Sequence, residues 1–99
     1  MKNKKVIWSV RAQESLKSHY NHIKRGSVRA AKKVKFEIIQ SSKELSSYPE
    51  KFQVDEFYPN NAGNIRRYFR WSYRIVYEIN EKTIDILNVL HTSQEPIQD

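Results

Sequence analysis

One stretch, residues 64–91, constrains the fold of this chain more than any other. Its sequence, NIRRYFRWSYRIVYEINEKTIDILNVLH, predicts three consecutive antiparallel strands at Ile65–Arg70, Tyr73–Ile79 and Thr83–Leu90. Thr83–Leu90 is apolar on both faces, which is typical of a central strand. These strands must form the sheet around which the rest of the chain packs.

Alternate residues of Tyr73–Ile79 point to opposite faces of that sheet. One face carries Tyr73, Ile75, Tyr77 and Ile79, and the other carries Arg74, Val76 and Glu78. The aromatic and branched face requires a core. The face that carries Arg74 is therefore predicted to be open and able to meet a ligand.

The loop between the first two strands decides which side chains join the buried face. A three-residue loop, Arg70-Trp71-Ser72, puts Ile65 and Phe69 on the buried face and Arg66 and Tyr68 on the open face. A two-residue loop would bury Arg66. The three-residue loop is therefore the prediction, although the segment lacks the glycine that such loops often use.

The first half of the chain predicts two amphipathic helices. Ser9 is a candidate N-cap for a helix at Val10–Lys24, and Gly26 suits its C-terminal end. Ser27 caps a second helix, Val28–Ser46, which stops ahead of a proline.

Two further strands are predicted outside this core, at Lys5–Ser9 and at Phe52–Tyr58. The combined pattern predicts one α+β domain over residues 1–99, with both helices packed on one face of a mainly antiparallel sheet.

Charge is distributed unevenly along the chain. Residues 1–51 hold 13 Lys/Arg against 4 Asp/Glu, whereas residues 52–99 hold 5 against 7. A basic half of this kind attracts nucleic acid or an acidic protein, or else forms a solvated, lysine-rich surface. The absence of cysteine, of a signal-like segment and of a run long enough to span a membrane predicts a soluble, cytoplasmic protein.

Beside the order of these elements, three stretches are informative: Arg66-Arg67, the strand YRIVYEI (Tyr73–Ile79) and the closing LHTSQEP (Leu90–Pro96). Together these features resemble the RelE/ParE superfamily of bacterial toxins. The last two pieces are more similar to the ParE and plasmid-stabilisation branch. The resemblance implies a β-α-α-β-β-β fold and a cognate antitoxin. The flexible, acidic segment of that antitoxin would cover the open face and fold as it binds.

The resemblance also implies two alternative actions. RelE-like toxins cut messenger RNA in the ribosome, whereas ParE-like toxins poison DNA gyrase. For RNA cleavage, Arg74 would hold the phosphate and His91 would act as acid or base. Thr92, Ser93 and Gln94 stand where the ribonucleases usually supply an arginine or tyrosine, so both catalytic roles are predicted only if the chain is a ribonuclease.

A basic row with interleaved aromatics is the candidate target-binding surface. Its members are Arg66, Arg67, Tyr68, Arg70, Trp71 and Arg74. The structural alternative is that Trp71 covers the hairpin tip, that the arginine stems cover apolar edges, and that Arg74 pairs with Glu78 or another nearby acid.

The remaining basic and histidine positions carry weaker expectations. Lys32, Lys33 and Lys35 could contact ribosomal RNA or DNA, but a solvated helix face is the preferred interpretation. His19 and His22 are three residues apart on the first predicted helix, but no third ligand accompanies them, so neither a metal nor a cofactor is expected.

The preferred interpretation is a ParE-like toxin of a type II toxin–antitoxin pair that inhibits growth by poisoning DNA gyrase. One alternative is a ribosome-dependent mRNA endoribonuclease. Another is a non-toxic, basic, nucleic-acid-binding adaptor.

Overall fold

The computed structural model describes residues 3–94, which form two helices packed on one face of a five-stranded sheet. The elements in chain order are β1 (Lys5–Trp8), α1 (Val10–Lys24), α2 (Val28–Lys43), β2 (Gln53–Val54), β3 (Ile65–Arg70), β4 (Tyr73–Ile79) and β5 (Thr83–His91). The strand order is β1-β5-β4-β3-β2, in which β1 runs parallel to β5 and the other neighbours are antiparallel. The predicted α+β architecture is confirmed.

Side-chain caps fix the start of each helix. The Ser9 hydroxyl accepts a hydrogen bond from the Ala12 amide, and the Ser27 hydroxyl accepts one from the Ala30 amide, each at 3.0 Å. The predicted bounds of α1 are confirmed. α2 ends at Lys43 rather than at Ser46, because the last three predicted residues continue as a 3₁₀ turn.

β4 and β5 form the centre of the sheet, and the core lies between these strands and the helices. Tyr73, Ile75 and Tyr77 face the helices, as predicted, and pack in one cluster with apolar residues of both helices. The other members of that buried cluster are Ala12, Leu16, Ile38, Leu45, Tyr68, Ile84, Ile86 and Val89. The predicted central position of Thr83–Leu90 is likewise confirmed, because β5 lies between β1 and β4.

The predicted loop between β3 and β4 is wrong by one residue. Arg70 pairs with Tyr73, so the loop contains only Trp71 and Ser72, and Trp71 has a φ of 55°. Two-residue hairpin loops need a positive φ at a central position, and here a tryptophan supplies it. This shift reverses the predicted faces of β3. Arg66 and Tyr68 lie on the helix side, whereas Ile65 and Phe69 lie on the face with Arg74.

Polar partners explain why Arg66 and Tyr68 are tolerated on the helix side. The Tyr68 hydroxyl lies 2.8 Å from the Ser41 hydroxyl, and its ring stacks on Phe52. The Arg66 guanidinium donates to the backbone carbonyls of Phe52 and Glu50, at 2.6 Å and 3.3 Å. The Tyr68 hydroxyl and the Arg66 Nη1 group therefore reach partners that replace water, whereas Arg66 Nε is buried without a hydrogen bond.

The predicted strand at Phe52–Tyr58 is reduced to β2, Gln53–Val54. Beyond β2 the chain turns across the face of the sheet that the helices leave uncovered. The Asn61 side chain anchors this segment, because its amide donates to the carbonyls of Asp55 and Ile65 at 3.0 Å and 2.7 Å.

Over residues 3–94, no helix is both long and apolar enough to cross a membrane.

Replacing Ile86 by Ala should destabilise the fold strongly. Ile86 is fully buried, so the cavity left by its side chain should lower the free energy of unfolding by about 2–5 kcal/mol. Ile7, on the neighbouring strand and 41% exposed, is the matched control: its replacement by Ala should cost less than about 1 kcal/mol. Urea unfolding measures both, and equal losses would contradict the placement of the core.

Candidate functional site

Arg74 lies on the face of the sheet opposite the helices, but it is not open to solvent. Its guanidinium donates to the Asp55 carboxylate at 2.7 Å and lies 5.0 Å from the centre of the Phe57 ring. Only 4% of Arg74 and 2% of Asp55 is exposed. The predicted open setting of Arg74 is therefore wrong, because the segment after β2 closes over it.

The partner of Arg74 is one of the nearby acids that the sequence alternative allowed, although it is not Glu78. Glu78 instead accepts hydrogen bonds from Asn64 and Asn80 at 3.4 Å and 3.3 Å. A buried ion pair compensates two charges that would each be costly if left alone. Arg74 therefore needs the charge of Asp55 as long as the segment after β2 covers both side chains.

A cavity of about 350 Å³ opens beside this ion pair. Its lining comes from the N-terminal end of α1, the segment after β2, and strands β4 and β5. The lining residues are Ser9, Arg11, Asp55, Phe57, Tyr58, Arg74, Val76, Leu87, Asn88 and Leu90. The cavity is thus mostly apolar, with Arg11 as a second cation at its edge.

His91 lies on the other face of the sheet. It is directly opposite Tyr73 in the β4–β5 ladder, whereas Arg74 is opposite Leu90. Residues opposite one another on antiparallel strands share a face, and neighbours in sequence alternate. The structure therefore does not bring together Arg74 and His91, the two candidate catalytic residues.

All three histidines of the chain instead line one cavity of about 310 Å³ on the helix side. The Tyr73 ring lies between His19 and His91, with ring centres 4.7 Å and 5.1 Å away. His91 Nδ1 accepts a hydrogen bond from the Ser93 amide at 3.1 Å. Across residues 3–94, no three His, Cys, Asp or Glu side chains are placed to hold a metal ion.

The predicted target-binding row is divided by the fold. Arg66 and Tyr68 are engaged on the helix side, and Arg74 is closed off. Arg67 forms an ion pair with Glu56 at 2.9 Å. The hydrogen bond from Arg67 is the main reason why the pKa of the Glu56 carboxyl lies below its usual value.

Trp71 and Arg70 remain together at the β3–β4 hairpin tip. Trp71 is 54% exposed, and the Lys33 ammonium lies 5.5 Å from the centre of its ring. Phe69, which was not among the predicted site residues, is 42% exposed on the strand leading to the tip. We call Arg70, Trp71 and Lys33 the hairpin-tip surface, because Phe69 lies on the opposite face of the sheet from Lys33.

Sequence reasoning missed Asp55, which controls the state of Arg74. The two residues are 19 positions apart, and Asp55 lies in a segment that was predicted to be a strand. The available signal was the acidic pair Asp55-Glu56 between Phe52 and Phe57, together with an arginine in a strand that is otherwise apolar or aromatic except for Glu78. Such a pair of opposite charges in apolar surroundings is a reason to expect an ion pair.

A second surface, the helix groove, lies along the junction of α1 and α2 and has a volume of about 550 Å³. Apolar side chains form its floor, and polar or lysine side chains form its rim. The lining residues are Trp8, Gln13, Leu16, Lys17, Tyr20, Asn21, Lys35 and Ile39. The Lys35 ammonium lies 5.3 Å from the centre of the Tyr20 ring.

Residues 6–96 match the family model described as the ParE toxin of the type II toxin–antitoxin system, parDE. The chain belongs to the ParE toxin family. This match confirms the predicted resemblance to the RelE/ParE superfamily. It also confirms the preference for the ParE branch. Glu95 and Pro96 of the closing motif lie outside the residues that the structure describes.

Two solved structures show the same fold. A chain of the chromosomal ParDE TA system from P. aeruginosa is 20% identical, with a TM-score of 0.71 over 89% of this chain and 95% of that chain. A chain of the toxin–antitoxin complex RelBE2 from Mycobacterium tuberculosis is 22% identical, with a TM-score of 0.57 over 92% and 93%. No curated protein sequence matches the chain significantly.

Removing the Asp55 charge from this ParE-family chain should destabilise it severely. Asp55→Asn leaves Arg74 buried without a compensating charge, which should cost about 3 kcal/mol of unfolding free energy. The matched control is Glu56→Gln, since Glu56 is half exposed in its ion pair with Arg67 and should contribute less than about 1 kcal/mol. Chemical denaturation measures both, and a neutral Asp55→Asn would contradict the burial of Arg74.

Tyr68 should make the fold sensitive to high pH. Burial raises the pKa of its hydroxyl from 10.0 to about 12, so the folded state disfavours the phenolate. The stabilisation is fully present below the unfolded pKa of 10.0 and is lost as the pH rises towards the folded value. Unfolding free energy should therefore fall above about pH 10, by up to about 1.4 kcal/mol per pH unit for this group.

Tyr68→Phe tests this assignment. The variant should show a shallower loss of stability between about pH 10 and pH 12, because it lacks the titrating hydroxyl. An unchanged slope would show that the pKa of Tyr68 is no higher in the folded chain than in the unfolded chain.

Proposed function

We propose that this member of the ParE toxin family inhibits bacterial growth in the cytoplasm by binding and poisoning DNA gyrase. The observation that supports binding over RNA cleavage is the separation of Arg74 and His91 on opposite faces of the sheet. One scissile phosphate cannot contact both side chains through a sheet. The acid–base and phosphate-holding roles of the ribonuclease alternative require both groups at the same reacting site.

The engagement of Arg74 also favours binding. A phosphate would have to displace Asp55 from a 2.7 Å contact, and it would leave that carboxylate buried without its partner. In the proposed function, Arg74 holds the segment after β2 in place. Contact with the target falls to the exposed basic and aromatic side chains, chiefly the hairpin-tip surface.

A cognate antitoxin is proposed to neutralise the toxin. The expected site for its flexible acidic segment is the face of the sheet that the helices leave uncovered, and the helix groove is a second suitable surface. An amphipathic segment could place apolar side chains on Trp8 and Leu16, and acidic side chains beside Lys17 and Lys35. The net charge of +7 would steer an acidic partner towards either surface.

Induction in growing bacteria tests the proposed function. The expected result is growth arrest with an SOS response and with cleaved DNA trapped on gyrase. Translation arrest with codon-phased mRNA cuts, and without an SOS response, would instead establish the ribonuclease alternative. Normal growth, with the chain intact and soluble, would favour the non-toxic adaptor. Co-expression of a small acidic protein encoded beside the toxin should restore growth.

His91→Ala separates the two toxic actions. Because His91 has no catalytic role in the proposed function, the variant should retain toxicity as long as its melting temperature shows that it is folded. In the ribonuclease alternative, losing one proton-transfer group should lower the cleavage rate by about 100-fold or more. Loss of toxicity from a folded His91→Ala variant would contradict the proposal.

A further inference from the structure

The hairpin tip places a large aromatic residue where the backbone favours a small one. Trp71 has a φ of 55° and is 54% exposed. A positive φ brings the side-chain Cβ close to backbone oxygen, so glycine, asparagine and aspartate dominate such hairpin positions. Its contact with Lys33 explains only part of the ring, because Trp71 remains 54% exposed. A strained, exposed residue of this kind is a reason to seek a function for its side chain.

The surroundings of Trp71 are cationic. The Lys33 ammonium lies over its ring, and Arg70 precedes it in the chain. Arg29 lies one helical turn before Lys33, on the same side of α2. Along the whole of α2 there are five lysines and arginines and a single acid, Glu37. The tip therefore offers a flat apolar ring within a positively charged surface.

A ring with adjacent cations matches the chemistry of an unpaired nucleotide. Every base has a face that can stack on an aromatic side chain, and the flanking phosphates attract lysine and arginine. An acidic peptide would satisfy the cations, but it would use the indole face only if it also carried an apolar or aromatic side chain, whereas every nucleotide combines a stacking base with a phosphate. The combination favours nucleic acid over protein as the partner of the tip.

We propose that Trp71 stacks on an unpaired base of single-stranded nucleic acid, with Lys33 and Arg70 contacting the adjacent phosphates. This inference rests on the proposed function in one respect, because it supposes that the toxin's target exposes nucleic-acid strands. The contact itself is a property of the purified chain. It needs neither gyrase nor the antitoxin to be measured.

Fluorescence anisotropy with a labelled oligothymidylate at low salt tests the contact. Trp71→Ala should weaken binding about tenfold, as expected for the loss of one base–aromatic stack. Trp71→Tyr should retain most of the affinity. Tyr48→Ala is the matched control, because Tyr48 is 73% exposed and lies away from the tip in sequence, and it should bind like the parent chain.

Trp71→Gly separates stacking from folding. Glycine accepts the positive φ without steric cost, so this variant should melt at the same temperature as the parent chain or higher, yet lose the same tenfold affinity. An oligomer of abasic deoxyribose phosphate supplies charge without bases. It should bind the parent chain and Trp71→Ala equally, whereas Lys33→Gln should weaken binding of both oligomers.

Three results would overturn the inference. The first is equal affinity of the parent chain and Trp71→Ala for oligothymidylate. The second is equal weakening by Tyr48→Ala. The third is a Trp71→Ala variant that loses affinity for the antitoxin alone, which would make the tip a protein contact. If Trp71 stacks on oligothymidylate but the chain does not poison gyrase in cells, only the proposed target is overturned. The inference about Trp71 would then stand.

Discussion

The buried ion pair between Arg74 and Asp55 is the interaction on which the functional side of this structure depends. Strand β4 places the Arg74 guanidinium on the face without helices. The segment after β2 places the Asp55 carboxylate and the Phe57 ring over that guanidinium. Each charge is acceptable there only because of the other. The ion pair therefore holds the segment after β2 against the sheet. It also buries Arg74, which the sequence analysis predicted to be an open ligand-binding residue.

The sheet then separates two kinds of chemistry. On the helix side, Tyr73 lies between His19 and His91 in a small cavity with hydroxyl groups at its edge. On the other side, Arg74 is held beside a cavity with both apolar and polar lining residues. A toxin that cuts RNA needs its groups to converge, whereas one that binds a large target needs exposed side chains on a rigid support. In the proposed function, this ParE-family chain meets the second requirement, and the β3–β4 hairpin is the proposed support.

Local signals in the sequence were sufficient for most of the fold. Ser9 set the start of α1 because N-capping depends on neighbouring residues. The helix also ends beside Gly26, but Gly26 does not take the left-handed conformation expected of a glycine cap. The alternation in Tyr73–Ile79 identified the buried face of β4 for the same reason, since the strand period is read directly from the sequence. The confirmed features depend on residues within a few positions of one another.

The errors arose where a distant partner decides the outcome. The predicted placement of Ile65 and Phe69 on the helix side was wrong, because Tyr68 instead contacts Ser41, 27 residues away, and Arg66 reaches the carbonyl of Phe52. Arg74 was expected to be open because nothing in its own strand indicates Asp55. In each case a polar side chain became buried through a contact that no sequence spacing reveals.

We infer that Arg74 acts through Asp55 as a structural residue and does not bind an anionic target. The most direct measurement is the growth-inhibiting activity of the double variant Asp55→Leu/Arg74→Met, which replaces the ion pair by apolar side chains of similar size. Such replacements commonly preserve or improve stability. This double variant should fold and keep the toxicity of the parent chain, because it removes no contact with the target. A folded variant that has lost its toxicity would contradict the inference.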